Sequence, residues 1–158
     1  MTQTNSTKRA LILGCGYTGT TLLRKLIALG TDVWATTTTP DKMDTISKLG
    51  ATPVHWQSPD AIPNVAAETA YILFPPRPDI DPDILATQCQ RFESVVYCSS
   101  TGVYGHTNGG WLDEESAVTQ KVPRAAARLK VERSLIEMGA RVVRAGGIYG
   151  NERNMIRR

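Results

Sequence analysis

The sequence has few cysteines, few histidines, and no long apolar run, and each shortage removes a class of protein. Its three cysteines, Cys15, Cys89 and Cys98, are an odd number with no close pair. That argues against a disulfide framework and against a cysteine zinc site. The two histidines, His55 and His106, stand alone, with no cysteine or carboxylate at metal-ligand spacing. Neither is expected to bind metal. No apolar stretch approaches the roughly 20 residues needed to span a bilayer. Residues 1–7 are polar and lack the apolar centre of a secretory signal, so a reduced, cytoplasmic setting is the default expectation. Eighteen basic against fifteen acidic residues leave a net charge of only +3. An excess that small argues against a nucleic-acid partner, though it suits an anionic ligand. There are no repeats and no low-complexity linker.

What remains is the composition of one globular domain. The chain has 158 residues, 41% of them hydrophobic and 21% charged, enough for a single core. Residues 1–7 read as a tail. Residues 10–13 form a short apolar run, a buried strand. A helix is expected over 18–29, where Leu22, Leu23, Leu26, Ile27 and Leu29 recur at helical spacing and Gly30 stops it. Strands follow at 32–36, 52–56, 70–74, 94–99 and 141–144. Helices are expected at 40–49, at 81–92 (Ile84, Leu85 and Cys89 inward) and at 124–138 (Leu129, Leu135, Ile136 and Met138 inward). Residues 102–119 read as a long polar loop. Strand and helix in alternation predict an α/β fold: a three-layer Rossmann arrangement around a parallel sheet of order 3-2-1-4-5-6. The domain is expected to occupy 8–150.

Between the first strand and first helix lies Gly14-Cys15-Gly16-Tyr17-Thr18-Gly19. The G-x-G-x-x-G spacing is weak alone but sits here in its required context. Gly14 makes the tight turn, Gly16 admits a pyrophosphate close to the backbone, and Gly19 lets helix and strand pack. The helix N-terminus adds unpaired N–H groups and partial positive charge. Cys15 is expected to be a small residue that fits the turn, and Cys98 a buried thiol. The second strand ends in Thr36-Thr37-Thr38-Thr39, with Lys42 just beyond. A carboxylate there would hold the ribose 2′-hydroxyl of NAD. Its absence, with threonine hydroxyls at Thr37 and Thr38 and a cation at Lys42, favours NADP over NAD. Pro75-Pro76 ends the fourth strand and shapes the wall of the cofactor site.

The fifth strand runs into Ser99-Ser100-Thr101-Gly102-Val103-Tyr104-Gly105, where a ligand would lie beyond the carboxyl ends of the strands. Here the chain resembles the extended and atypical short-chain dehydrogenase/reductases, the NAD-dependent epimerase/dehydratase family. Three stretches carry the likeness in order: 14–19, 99–105, and Arg144-Ala145-Gly146-Gly147-Ile148-Tyr149-Gly150. The resemblance implies hydride transfer on a small carbonyl or hydroxyl substrate, with Ser100 holding the substrate oxygen and Ser99 beside the cofactor. It also implies a Tyr acid/base and, four residues on, a Lys at the start of the next helix. Pro123 and Glu132 set that register and put Arg124 and Arg128 at the two positions. Arginine stays protonated at neutral pH, so Arg124 is a poor acid and a worse base. Arg128 can still hold a ribose or phosphate oxygen. Tyr104 and Tyr149 are the replacement phenols, Tyr104 the one retained among the candidate catalytic residues. Two readings stay open: an oxidoreductase or epimerase, and a non-catalytic NAD(P)-binding module such as a redox sensor or partner subunit.

Asp113-Glu114-Glu115 lies in the long loop, where the family often has an acidic pair. The three arginines of 153–158 do not suggest a nucleic-acid role. The family continues into a C-terminal substrate domain, so residues 151–158 are expected to begin a part that is missing here. Apolar surface left exposed by that loss would favour a homo-oligomer.

Overall fold

A computed structural model describes residues 7–57, 61–105, 108–150 and 153–154. The elements are β1 (Arg9–Leu13), α1 (Tyr17–Ala28), β2 (Asp32–Thr37), α2 (Asp41–Lys48), β3 (Thr52–His55), β4 (Thr69–Ile72), α3 (Pro82–Cys89), β5 (Ser94–Ser100), a 3₁₀ turn (Thr101–Tyr104), α4 (Pro123–Glu137) and β6 (Arg141–Ala145). All neighbouring strands are parallel, in the order β3-β2-β1-β4-β5-β6. This is the Rossmann-like sheet that the alternating pattern predicts.

Alternation along the strands divides the core into two layers, because successive side chains point to opposite faces. Leu11 and Leu13 of β1, Ala70 and Ile72 of β4, and Val95 and Tyr97 of β5 pack with Leu85 and Cys89 of α3 and Val131 and Leu135 of α4. Ile12 of β1 and Val33 and Ala35 of β2 pack on the other face with Leu23 of α1 and Ile46 of α2. Strands covered on both faces read as continuous apolar runs, which is why β1 was visible as one. Full burial of each such side chain contributes about 1.5–3 kcal/mol. The connection from β3 to β4 contains no helix among its described residues. Trp56 and Ile62 fill that place in the core, and Trp56 Nε1 donates to the Ala61 carbonyl at 2.8 Å.

Three expectations are corrected. Ile84 points out of α3 and is half exposed, because the buried stripe runs through Leu85, Ala86 and Cys89. Ile136 is likewise exposed, because Leu135 takes the inward position at the end of α4. Cys98 is half-buried: it lies on the face of β5 opposite the apolar side chains Val95 and Tyr97.

Exposed apolar groups gather near β6: Ile136, Val143, Ile148 and Tyr149. β6 pairs with β5 alone among the described strands. No described helix is long and apolar enough to cross a membrane.

The sheet order reverses direction between β1 and β4. Chains leaving these two strands at their carboxyl ends turn opposite ways, to α1 on one face and α3 on the other, and open a crevice there.

Candidate functional site

The glycine turn forms the floor of that crevice. Gly14 takes φ +95°, and a Cβ there would come within 3.1 Å of the Phe74 backbone nitrogen. Its N–H donates to Thr36 Oγ1 at 2.9 Å, and the N–H of Cys15 to the Thr36 carbonyl at 2.8 Å. The turn is thus tied to the end of β2. At Gly19 a Cβ would lie 2.6 Å from the Gly14 carbonyl oxygen, so α1 reaches the turn only through glycine. Gly16 differs: a Cβ there would meet nothing within 4 Å. Space, not backbone conformation, is what a side chain at Gly16 would take. Gly16 is the N-cap of α1, without a side-chain cap and with no acidic residue in the first turn. The dipole of α1 therefore keeps its positive end toward the cleft.

Two cavities, of about 300 and 360 Å³, flank the turn and share Gly14, Gly16, Leu73 and Pro75. Together they form one cleft across the carboxyl ends of β2, β1, β4 and β5. Each alone reaches the lower bound of ordinary ligand pockets, roughly 300–1,000 Å³. On the β2 side lie Cys15, Thr36 to Thr39 and Lys42. Thr36 is buried and its hydroxyl accepts from Gly14. The Thr37 hydroxyl accepts from the Thr39 N–H and donates to the Thr39 carbonyl. Thr38 and Lys42 are exposed at the rim. Burial pushes the Cys15 thiol up; a Thr20 hydrogen bond and the nearby Lys42 charge work against that.

On the β5 side the cleft reaches Tyr17, Thr18, Gly19, Ser99, Ser100 and Arg128. Ser100 Oγ accepts from the Gly102 N–H at 3.2 Å. Ser99 is 3% exposed, and its Oγ has no hydrogen-bond partner among the described residues. The Arg153 guanidinium lies 5.3 Å from the Tyr17 ring centre. Lys42 and Arg77 on one side, and Arg128 and Arg153 on the other, line the cleft; no carboxylate does among the described residues.

Tyr104 is not in this cleft, although it follows Ser100 by four residues. The 3₁₀ turn carries it to the far side of β5, where it packs with Val103 and Leu129. Its hydroxyl accepts from Arg144 Nη1 at 3.0 Å, with the guanidinium 5.1 Å from its ring centre. Arg144 also donates to both oxygens of buried Glu132, at 2.8 and 3.2 Å to Oε2 and 3.3 Å to Oε1. The phenol lines a separate cavity of about 570 Å³ near β6, together with Asp113 and Glu114. There Asp113 takes a hydrogen bond from Ser116 at 2.7 Å. Tyr149 is exposed and lines neither half of the cleft. The cleft phenol among the described residues is Tyr17. Arg124 lines a further cavity, of about 440 Å³, with Pro75, Pro76, Ala127 and Arg128. His55 is exposed on β3, and His106 lies outside the described residues. No group of three potential metal ligands occurs among the described residues.

Leu73, Phe74, Trp56, Arg77 and Arg153 line the cleft without having been expected there. Leu73 and Phe74 follow β4 at the reversal of the sheet and could have been found from that position. Trp56 packs at a tilt against Phe74, with ring centres 5.5 Å apart, a contact no spacing rule announces. Arg153 returns through an antiparallel bridge to Gly150, which the sequence does not signal.

No protein-family model matches the chain, and no curated protein matches it in sequence. Solved structures do match. A functionally unknown conserved protein from Silicibacter pomeroyi DSS is 32% identical, with a TM-score of 0.80 over 93% of this chain and 56% of that one. The Bordetella bronchiseptica enzyme WbmH, solved with NAD+, is 15% identical, with a TM-score of 0.74 over 94% of this chain and 58% of that one. A UDP-glucose 4-epimerase from Stenotrophomonas maltophila, solved with bound NAD and formylated UDP-arabinopyranose, is 16% identical, with a TM-score of 0.71 over 87% and 52%. The likeness to these two enzymes is one of fold. The chain spans little more than half the length of the three structures.

Proposed function

We propose that the chain is an NAD(P)-binding protein of the epimerase/dehydratase type. The observation that carries this reading is the cleft itself: two cavities joined at Gly14 and Gly16, with open space above Gly16 and, among the described residues, cations but no carboxylates along the lining. A dinucleotide has that form, two nucleosides joined by an anionic pyrophosphate. The pyrophosphate would lie over Gly16 at the N-terminus of α1. The adenosine half would take the β2 side, where exposed Thr38 and Lys42 and the absence of a carboxylate suit the 2′-phosphate of NADP. The nicotinamide half would take the β5 side. That two similar folds were solved with NAD supports the reading.

The reaction class we propose is hydride transfer to or from a small carbonyl or hydroxyl compound. Bound nicotinamide would supply the hydride chemistry. Ser100 would hold the substrate oxygen, and Arg128 would hold a ribose or phosphate oxygen as a fixed cation. One observation favours the second reading, a non-catalytic module. Arg124 stands where the resembling family has its acid, and neither Tyr104 nor Tyr149 lines the cleft. NADPH consumption with a panel of small aldehydes, ketones and 2-oxo acids separates the two. The enzyme reading expects turnover with some member and its loss in Ser100→Ala. No turnover across the panel, with dinucleotide binding intact, favours the module.

A further inference from the structure

We propose that Arg124 and Arg128 form a seat for an oxyanion, so that the substrate meeting the β5 end of the cleft carries a carboxylate or phosphate group. This rests on the dinucleotide reading above and names its substrate class.

The two arginines are four apart at the start of α4, which puts them on one face of the helix. Both line the cavity of about 440 Å³ with Pro75 and Pro76. Arg128 and Pro75 also line the cleft, so cavity and cleft meet at these residues, and the five donors of Arg128 let it serve a ribose or phosphate oxygen on the cleft side while sharing the oxyanion with Arg124. Neither arginine makes an ion pair among the described residues. Their position makes that unusual. Cations at a helix N-terminus oppose the helix dipole, and the first turn of α4 has no acidic residue to offset them. Val122, the N-cap, provides no side-chain cap. No ion pair among the described residues offsets these two charges.

A second feature lies in the adjoining cleft. Ser99 lines that cleft, as Arg128 does, and its buried Oγ has no hydrogen-bond partner among the described residues. A buried hydroxyl without a partner is costly unless a ligand completes it. Guanidinium groups cannot exchange protons at neutral pH. They offer paired donors that match the oxygens of a carboxylate or phosphate. The pair therefore binds charge and does not act as an acid or base.

The test is calorimetric titration of the chain at low ionic strength with inorganic phosphate and with malonate, each with and without saturating NADPH. Wild type, Arg124→Gln and Arg124→Lys are compared. Arg124 is exposed and lies outside both halves of the dinucleotide cleft. Arg124→Gln should therefore fold normally, and its NADPH affinity should stay within about twofold of wild type. The proposal expects at least one anion to bind, at least about tenfold more weakly in Arg124→Gln, with partial recovery in Arg124→Lys. It expects that binding to persist beside NADPH. Preference for phosphate or malonate identifies the group. Binding of neither anion, equal binding to wild type and Arg124→Gln, or displacement by NADPH would overturn it. Should NADPH itself fail to bind, the dinucleotide reading falls, while the Arg124-dependent signal is still read on the protein alone.

Discussion

Replacing Gly16 and Gly19 by alanine, one at a time, separates what the glycine turn does for folding from what it does for a ligand. At Gly19 the new Cβ would lie 2.6 Å from a backbone carbonyl oxygen. Neither the turn nor the helix yields easily, so the cost belongs at the upper end of overpacking, about 3 kcal/mol. Alanine returns up to about 1 kcal/mol of helix propensity. The net loss is about 2 kcal/mol, a fall in melting temperature of roughly 4–8 °C for a chain of this size. At Gly16 the φ of −87° is ordinary and the Cβ meets nothing. The cost there is the poorer N-cap, about 0.5 kcal/mol, or roughly 1–2 °C. The methyl group, however, would occupy the space assigned to the pyrophosphate. Losing one charge-assisted hydrogen bond costs about 1.5–3 kcal/mol, so NADPH should bind Gly16→Ala about ten- to a hundredfold more weakly. Differential scanning fluorimetry reads the first effect and nicotinamide fluorescence titration the second. Wild-type affinity in Gly16→Ala, or an unchanged melting temperature in Gly19→Ala, would refute the reasoning.

Other outcomes follow from the same geometry. Glu132 is buried beneath Arg144, whose side chain keeps 21% exposure. Glu132→Gln leaves that guanidinium without its counter-charge, and the partial exposure lowers the usual cost of breaking a buried pair to about 2–3 kcal/mol. Urea unfolding should show it as a lower midpoint at constant slope. Burial pushes Cys89 and Tyr97 up to about 12 from ordinary values near 9 and 10. The unfolded chain gives up these protons first, so their contribution is complete below pH 9 and is lost as pH rises through about 9–12. Melting temperature should therefore be level between pH 7 and 8 and fall above 9; a level profile to pH 11 would contradict this. Lys42→Ala should weaken NADPH binding about tenfold and leave NADH unchanged if Lys42 meets the 2′-phosphate. An equal loss for both nucleotides would remove that role.

Most of the fold was legible because its signals are local. Short apolar runs, helical spacing and glycine stops located every strand and helix to within a few residues, and their alternation predicted the sheet order. The misplaced side chains, Ile84 and Ile136, sit at the edge of their helices' apolar stripes. A rotation of one position decides which neighbour faces inward, and only packing against the sheet fixes it. The site was legible in the same proportion. Gly14, Gly16 and Gly19 combine spacing with a strand before and a helix after; Gly14 and Gly19 have steric reasons in the fold, and Gly16 borders open space. Tyr104 follows Ser100 by four residues, but the 3₁₀ turn swings its phenol onto Arg144, a placement that spacing does not signal. Arg124 was visible as a departure from the family pattern. The cavity it shares with Arg128 is what the structure adds. Trp56, Arg77 and Arg153 reach the cleft through long-range contacts that no periodicity encodes.

The central claim is that the cleft over Gly16 holds a nicotinamide dinucleotide. The measurement that bears on it most directly is the melting temperature of the chain titrated with NADPH and with NADH. At a hundredfold excess over the dissociation constant, binding to the folded state alone adds about 2.7 kcal/mol. For a chain of this length that is a rise of roughly 5–11 °C. The account predicts such a rise, reached at lower concentration with NADPH than with NADH. An unchanged melting temperature with both nucleotides at millimolar concentration would contradict it.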